Sequence, residues 1–261
     1  MADVKVREQP RKAGENPLLE CGDIYFLYRP RVGHEEAHGL EDVERFYILL
    51  KPWRRELYRL IILGRKRLPD PKEHDRFWAF VWRVFKDRAE LNKELGENEY
   101  ATKTRGIRKV APARPAAEGI YAIARHDGHT HLAYVIELPE RRGPAERELN
   151  IKREASYVVA VKNPESPSPP NVGLGPHEEA QFPKSLQQKF QGRRFLPVDP
   201  PDFLDHDGAE LMLIGADEHP EKELGIQFEP DHEDEHRADI FRVLKLPRDL
   251  VREPLFEGKW K

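Results

Sequence analysis

Ile120-Tyr121-Ala122-Ile123-Ala124-Arg125-His126-Asp127-Gly128-His129-Thr130-His131-Leu132-Ala133-Tyr134-Val135-Ile136 decides the fold class of this 261-residue chain. Two alternating apolar runs flank Asp127-Gly128. That pair is a two-residue hairpin signal, because a type I′ turn needs positive φ at both central positions. The turn sets the register: position 126 faces 129, 124 faces 131 and 122 faces 133. Tyr121, Ile123, Leu132, Tyr134 and Ile136 then share one face and read as core. His126, His129 and His131 share the other face with Ala122, Ala124 and Ala133.

Similar short segments recur on both sides of the hairpin: Ile24 to Tyr28, Phe46 to Leu50, Leu57 to Leu63, Tyr157 to Val161, Leu211 to Ile214 and Ile240 to Leu246. Their length and their β-branched and aromatic content predict strands. Several stop at a proline, as in Lys51-Pro52, Leu138-Pro139, Asn163-Pro164 and Leu246-Pro247. Proline has no N–H for a sheet ladder, so the chain turns away there. Helices are fewer. Asp70-Pro71 opens either one helix running to Leu95, or a loop before a strand over Phe77 to Phe85 and a helix over Asp87 to Leu95. Pro183 to Gln191, closed by Gly192, predicts a short helix.

The expected fold class is therefore α+β: β-rich, a mostly antiparallel sheet or partly closed barrel with one long or two short helices. Residues 1–17 read as a flexible N-terminal tail. Residues 18–261 read as a single domain with a long Pro-rich loop near 163–183; a two-domain split near residue 110 is the alternative. The proline-bearing stretch Arg105 to Glu118 reads as irregular.

Composition narrows the function classes. Charged residues make up 35% of the chain, but 44 basic against 47 acidic side chains leave a net charge of −3, too balanced for whole-chain disorder or an overall polyanion-binding surface. The lone cysteine, Cys21, cannot pair within the chain, and the N-terminus lacks an apolar leader, so a reducing, cytoplasmic setting is expected. Leu60-Ile61-Ile62-Leu63, typical of the longest apolar runs, is far short of the roughly 20 residues a bilayer demands.

Three readings of function follow. The first is a binding or interaction protein with a protein partner, because scaffold is abundant and no catalytic constellation is concentrated in one stretch. The second is a metal-dependent, hydrolase-like enzyme, with His126, His129 and His131 holding zinc or another transition metal from one sheet face. The third is a nucleic-acid or phosphate binder that gathers Arg65, Lys66, Arg67, Arg105 and Arg108, with Arg29, Arg31 and Arg193-Arg194 as further basic groups. Balanced charge sets the third behind the first. His34-Glu35-Glu36-Ala37-His38 and His232-Glu233-Asp234-Glu235-His236 match a zinc-protease pattern but lack an amphipathic helix around them. Gly173-Leu174-Gly175-Pro176 lacks the lysine and hydroxyl of a phosphate loop.

Overall fold

A computed structural model describes residues 5–8, 18–102, 106–169, 172–175, 178–231, 234 and 237–261. Strand β1 (Val6–Glu8) lies outside the main sheet. The chain then forms a four-stranded meander of β2 (Leu18–Pro30), β3 (Val43–Pro52), β4 (Tyr58–Leu63) and β5 (Arg76–Phe85), followed by helix α1 (Arg88–Leu95). Next come β6 (Asn98–Thr102) and β7 (Gly106–Val110), which pair only with each other. The second half supplies β8 (Arg114–His126), β9 (His129–Leu138), α2 (Pro144–Glu148), β10 (Glu154–Lys162), α3 (Lys184–Gln187), β11 (Phe195–Pro197) and β12 (Glu210–Gly215). Helix α4 (Pro220–Leu224), β13 (Ile226–Phe228) and α5 (Arg248–Val251) complete the order.

Eight of these strands close an antiparallel barrel. The ring runs β2-β3-β4-β5-β12-β10-β9-β8 and returns to β2, while β11 adds to β10. Closure leaves no free edge on the ring, which is the strongest available protection against edge-to-edge association. Strands from both sides of residue 110 build the same barrel.

The apolar runs are nearly continuous because the barrel wall is buried on both faces. Ile24, Phe26 and Tyr28 of β2 point inward with Phe46, Ile48, Tyr121, Ile123, Tyr134 and Tyr157. Tyr25 and Leu27 point outward, beneath Leu91 and Leu95 of α1 and the C-terminal residues Ile240, Leu244, Val251 and Leu255. A third apolar group sets Ile120, Ala122, Ala124 and Ala133 against Val6, Leu224, Ile226 and Phe228. Inside, an apolar void of about 10 Å³, room for about one water, lies between Leu50, Ile61, Leu132 and Leu204 among others. The barrel is a packed scaffold.

Both ends are closed. At the Glu20 end of β2, the turn Pro201–Asp205 inserts Phe203 and Leu204, and Phe203 meets Phe182 and Phe190 edge-on. There Arg59, fully buried, donates from Nη1 and Nη2 to the two oxygens of Glu20 at 2.5 and 3.0 Å. Its Nε donates to Asp205 Oδ1 at 2.8 Å, and the Tyr121 hydroxyl donates to Glu20 Oε1 at 2.8 Å. At the opposite end of β2, Trp260 packs edge-on against Tyr28 with ring centres 4.9 Å apart, and the Lys261 N–H donates to the Tyr28 hydroxyl at 2.9 Å.

Several expectations are corrected. The barrel is fully closed, and among the described residues five short α-helices replace the one long or two short helices expected. Residues 76–95 form strand plus helix: Asp87, not Asp70, is the N-cap, its carboxylate accepting from the Ala89 N–H at 2.9 Å. Ile240 to Leu246 is not a strand. Ile240–Leu244 is a π-helical turn, whose apolar side chains cover the outside of the barrel. Arg105 to Glu118 is not irregular throughout, since β7 and the start of β8 lie in it. Within the stretch read as a tail, Val6–Glu8 pairs with β13 and Val6 is buried. The Pro-rich loop after β10 is tethered: Ser168 Oγ and the Leu174 N–H both donate to buried Glu210, which also pairs with buried Lys162 at 2.6 Å.

The hairpin register matches the sequence expectation pair by pair from Ala122↔Ala133 to His126↔His129. Asp127 and Gly128 have φ of 48° and 79°, the two positive values of a type I′ turn. A Cβ on Gly128 would meet nothing within 4 Å, so strain there is purely conformational. Gly128→Val is expected to lower stability by about 1–2 kcal/mol in urea unfolding, and Gly128→Asn by clearly less, because asparagine tolerates the left-handed region. Equal effects of the two substitutions would refute the turn assignment.

Candidate functional site

The histidine hairpin is the first candidate. His131 lies on the outer face of β9, opposite Ala124 on β8 and Val158 on β10. It is only 4% exposed. Helix α4 covers it and brings Glu223 Oε1 to 3.4 Å from His131 Nδ1. The other Glu223 oxygen accepts from the Ser156 hydroxyl, which itself accepts from the Asp217 N–H at 3.1 Å. The order Ser156–Glu223–His131 puts the carboxylate between hydroxyl and imidazole, so the histidine has no direct path to the serine proton. The His126 and His131 rings meet edge-on at 5.5 Å, and His126 Nε2 lies 3.4 Å from Asp127 Oδ2.

Burial first, then the neighbouring His126 and His129, push the pKa of His131 down to about 4. Burial raises that of Glu223. Among the described residues, no group of three or more His, Cys, Asp or Glu side chains is arranged to hold a metal ion. His34-Glu35-Glu36-Ala37-His38 lies in the non-helical loop between β2 and β3, so its histidines are not stacked one helical turn apart. His232, Glu233, Glu235 and His236 fall outside the described residues.

The basic residues separate into different roles. Arg65 lies over the Phe77 ring at 5.1 Å, Lys66 donates to the Val43 carbonyl, and Arg67 is exposed after β4. Arg108 sits on β7 with its guanidinium facing Gly33, and Arg105 lies outside the described residues. No hydrogen bond or ion pair among the described residues links Arg108 to the 65–67 group. Arg29, grouped with the surface cations in the sequence, is 4% exposed.

Arg29 explains the second candidate, the β6–β7 arm. Its Nη1 donates to the carbonyls of Gly96 at 3.1 Å and Ala111 at 2.8 Å, and Nη2 donates to the Glu94 carbonyl at 2.6 Å. Gly96 and Ala111 flank the two strands of the arm, so one buried guanidinium clamps both its roots. Nε donates to the Tyr47 hydroxyl at 3.2 Å, which fixes the clamp to the barrel wall. The Gly33 N–H donates to the Lys109 carbonyl at 2.9 Å and braces the arm from the side.

Beyond its root the arm is exposed. Ile107 on β7 is 71% exposed, the one exposed large apolar side chain among the described residues. Glu99 and Lys109 pair across the arm at 3.5 Å. Glu99 is the one acid in the sequence of residues 98–110, against Lys103, Arg105, Arg108 and Lys109. Sequence reading missed this element because Asn98–Thr102 and Gly106–Val110 hold little apolar alternation. The usable signal was Ile107 beside Gly106, after the helix stop at Gly96.

No helix among the described residues is long and apolar enough to cross a membrane. No protein-family model, no curated protein and no solved structure matches this chain.

Proposed function

We propose that this chain is a binding protein, acting through residues 18–261 as one domain, which presents the β6–β7 arm to an extended segment of a protein partner. The observation that carries this reading is the exposure of Ile107 on an arm whose roots are held by Arg29. Each arm strand pairs with another strand on one side only, and although the Gly33 N–H takes the Lys109 carbonyl of β7, the outer edge of β6 can take a further strand. An apolar side chain on that strand would cover Ile107, and removing such a residue from water contributes about 1.5–3 kcal/mol. The basic excess in the arm's sequence suits an acidic partner segment. A preset arm also loses little freedom on binding.

The test places a photo-crosslinking amino acid at position 107 or, as control, at Glu56, whose side chain is 93% exposed. In extract from the native cell, position 107 is expected to give a discrete adduct that position 56 does not. Excess wild-type protein should suppress it, and Ile107→Glu should compete about tenfold less well or worse. An adduct of twice the chain mass would name a second copy as the partner. Equal adducts at both positions, or equal competition by Ile107→Glu, would sink the reading.

A further inference from the structure

A cleft of about 430 Å³ opens between the β8–β9 hairpin tip and the segment joining α3 to β11. Three cations line it: Arg125 from β8, and Lys189 and Arg193 from the α3–β11 segment. One acid, Asp199, also lines it and pairs with Arg125. The side chains of Lys189 and Arg193 are exposed and have no hydrogen-bond or ion-pair partner among the described residues. The contrast with the next residue is direct: Arg194 lies over the Phe195 ring and donates to the Pro167 carbonyl at 3.2 Å. Arg194 serves the fold, and Arg193 does not.

We infer that this cleft binds a small phosphate-bearing molecule. Its volume falls in the range typical of small-ligand sites, roughly 300–1,000 Å³. Its lining carries a net charge of +2, from three cations and one carboxylate, in a chain whose net charge is −3. That local excess attracts an anion where the whole surface does not. Arginine supplies a planar fork that fits phosphate oxygens in pairs, and lysine supplies a point charge, a combination suited to a phosphate or pyrophosphate group. Both walls are fixed before any ligand arrives. The hairpin is held by its two-residue turn and full ladder, and the opposite wall by buried Leu196 of β11 paired with Val161 on β10. Leu196 and Pro197 give the floor an apolar part, which suits a ligand with a carbon frame beside its phosphate.

Titration calorimetry with pyrophosphate and with inorganic phosphate at low salt tests the site, on wild type, Lys189→Glu, Arg193→Glu and the exposed control Arg76→Glu. Charge-assisted hydrogen bonds are worth enough that each cleft variant should bind pyrophosphate at least about tenfold more weakly. Arg76→Glu should bind as wild type does, and all variants should keep the wild-type melting temperature, since neither cleft side chain has a partner to lose. Saturable 1:1 binding with that pattern supports the cleft. Absence of saturable binding, or equal weakening by Arg76→Glu, overturns it. So does binding of mixed-sequence single-stranded DNA that pyrophosphate does not displace.

Discussion

Arg59→Met is expected to destabilise the protein by about 3–5 kcal/mol, read as a lower urea midpoint at unchanged slope. Arg59 has no exposed surface, and it satisfies Glu20 with two hydrogen bonds and Asp205 with a third. Methionine fills much of the volume but removes the cation between the two carboxylates; Asp205 keeps its pair with Arg55 at 2.5 Å, and Glu20 loses its pair with Arg59. Glu20 is the worse placed, because its side chain is 10% exposed and its remaining hydrogen bond among the described residues comes from the Tyr121 hydroxyl. The cost thus comes from the stranded Glu20 carboxylate more than from the lost attraction. The double variant Arg59→Met, Glu20→Gln should accordingly recover a large part of the loss. If the double variant is as unstable as the sum of the singles, the two residues act independently and this account of the barrel end is wrong.

Acidification should expose His131 in the same way. The unfolded chain takes up a proton at this residue near pH 6.5, while the folded protein does not do so until about pH 4. Stability from the neutral buried imidazole is therefore complete above pH 6.5 and lost as pH falls towards 4, and the gap corresponds to about 3 kcal/mol. Three acids act in the opposite sense. Burial raises Asp23 to about 6, Glu146 to about 7 and Glu223 above its ordinary value, so their carboxylates are disfavoured in the folded state at high pH and protonation recovers stability on acidification. The effect must be read as a difference. Wild type minus His131→Leu, measured by urea unfolding at several pH values, should fall by about 3 kcal/mol between pH 6.5 and 4. Parallel curves would show that His131 is solvated in the folded protein. The groups facing it are Glu223 from α4 and His126, His129 and Asp127 from its own hairpin.

A contrast between two arginines shows why sites were harder to read than strands. Arg29 and Arg59 look alike in sequence, each following a tyrosine on a strand rich in apolar residues. Arg59 points into the barrel end and meets carboxylates from β2 and the Pro201–Asp205 turn. Arg29 meets main-chain carbonyls at the root of the arm, roughly 65 to 82 residues further along the chain. No local pattern distinguishes them, because a cation's role is set by which distant acceptors the fold delivers to it. His131 illustrates the same point: its strand, register and face were all legible, and its burial under α4 was not.

By itself the sequence determined the β-rich class, most barrel strands, their frequent stops at proline, and the hairpin at Asp127-Gly128 with its register. These are local properties, carried by period-two alternation, β-branched and aromatic content, and residues that accept or refuse particular φ values. Ile240 to Leu246 marks the limit of such reasoning, since a short apolar run suits a strand or a buried helical turn equally well. Only the tertiary structure decided that the sheet closes, that the arm stands apart from it, and that Lys189, Arg193 and Arg125 meet across one cleft. Closure joins Gly22 to Tyr121 and Tyr157 to Leu132, pairings between separate segments that are chosen by the fit of whole faces and not by any neighbouring residue.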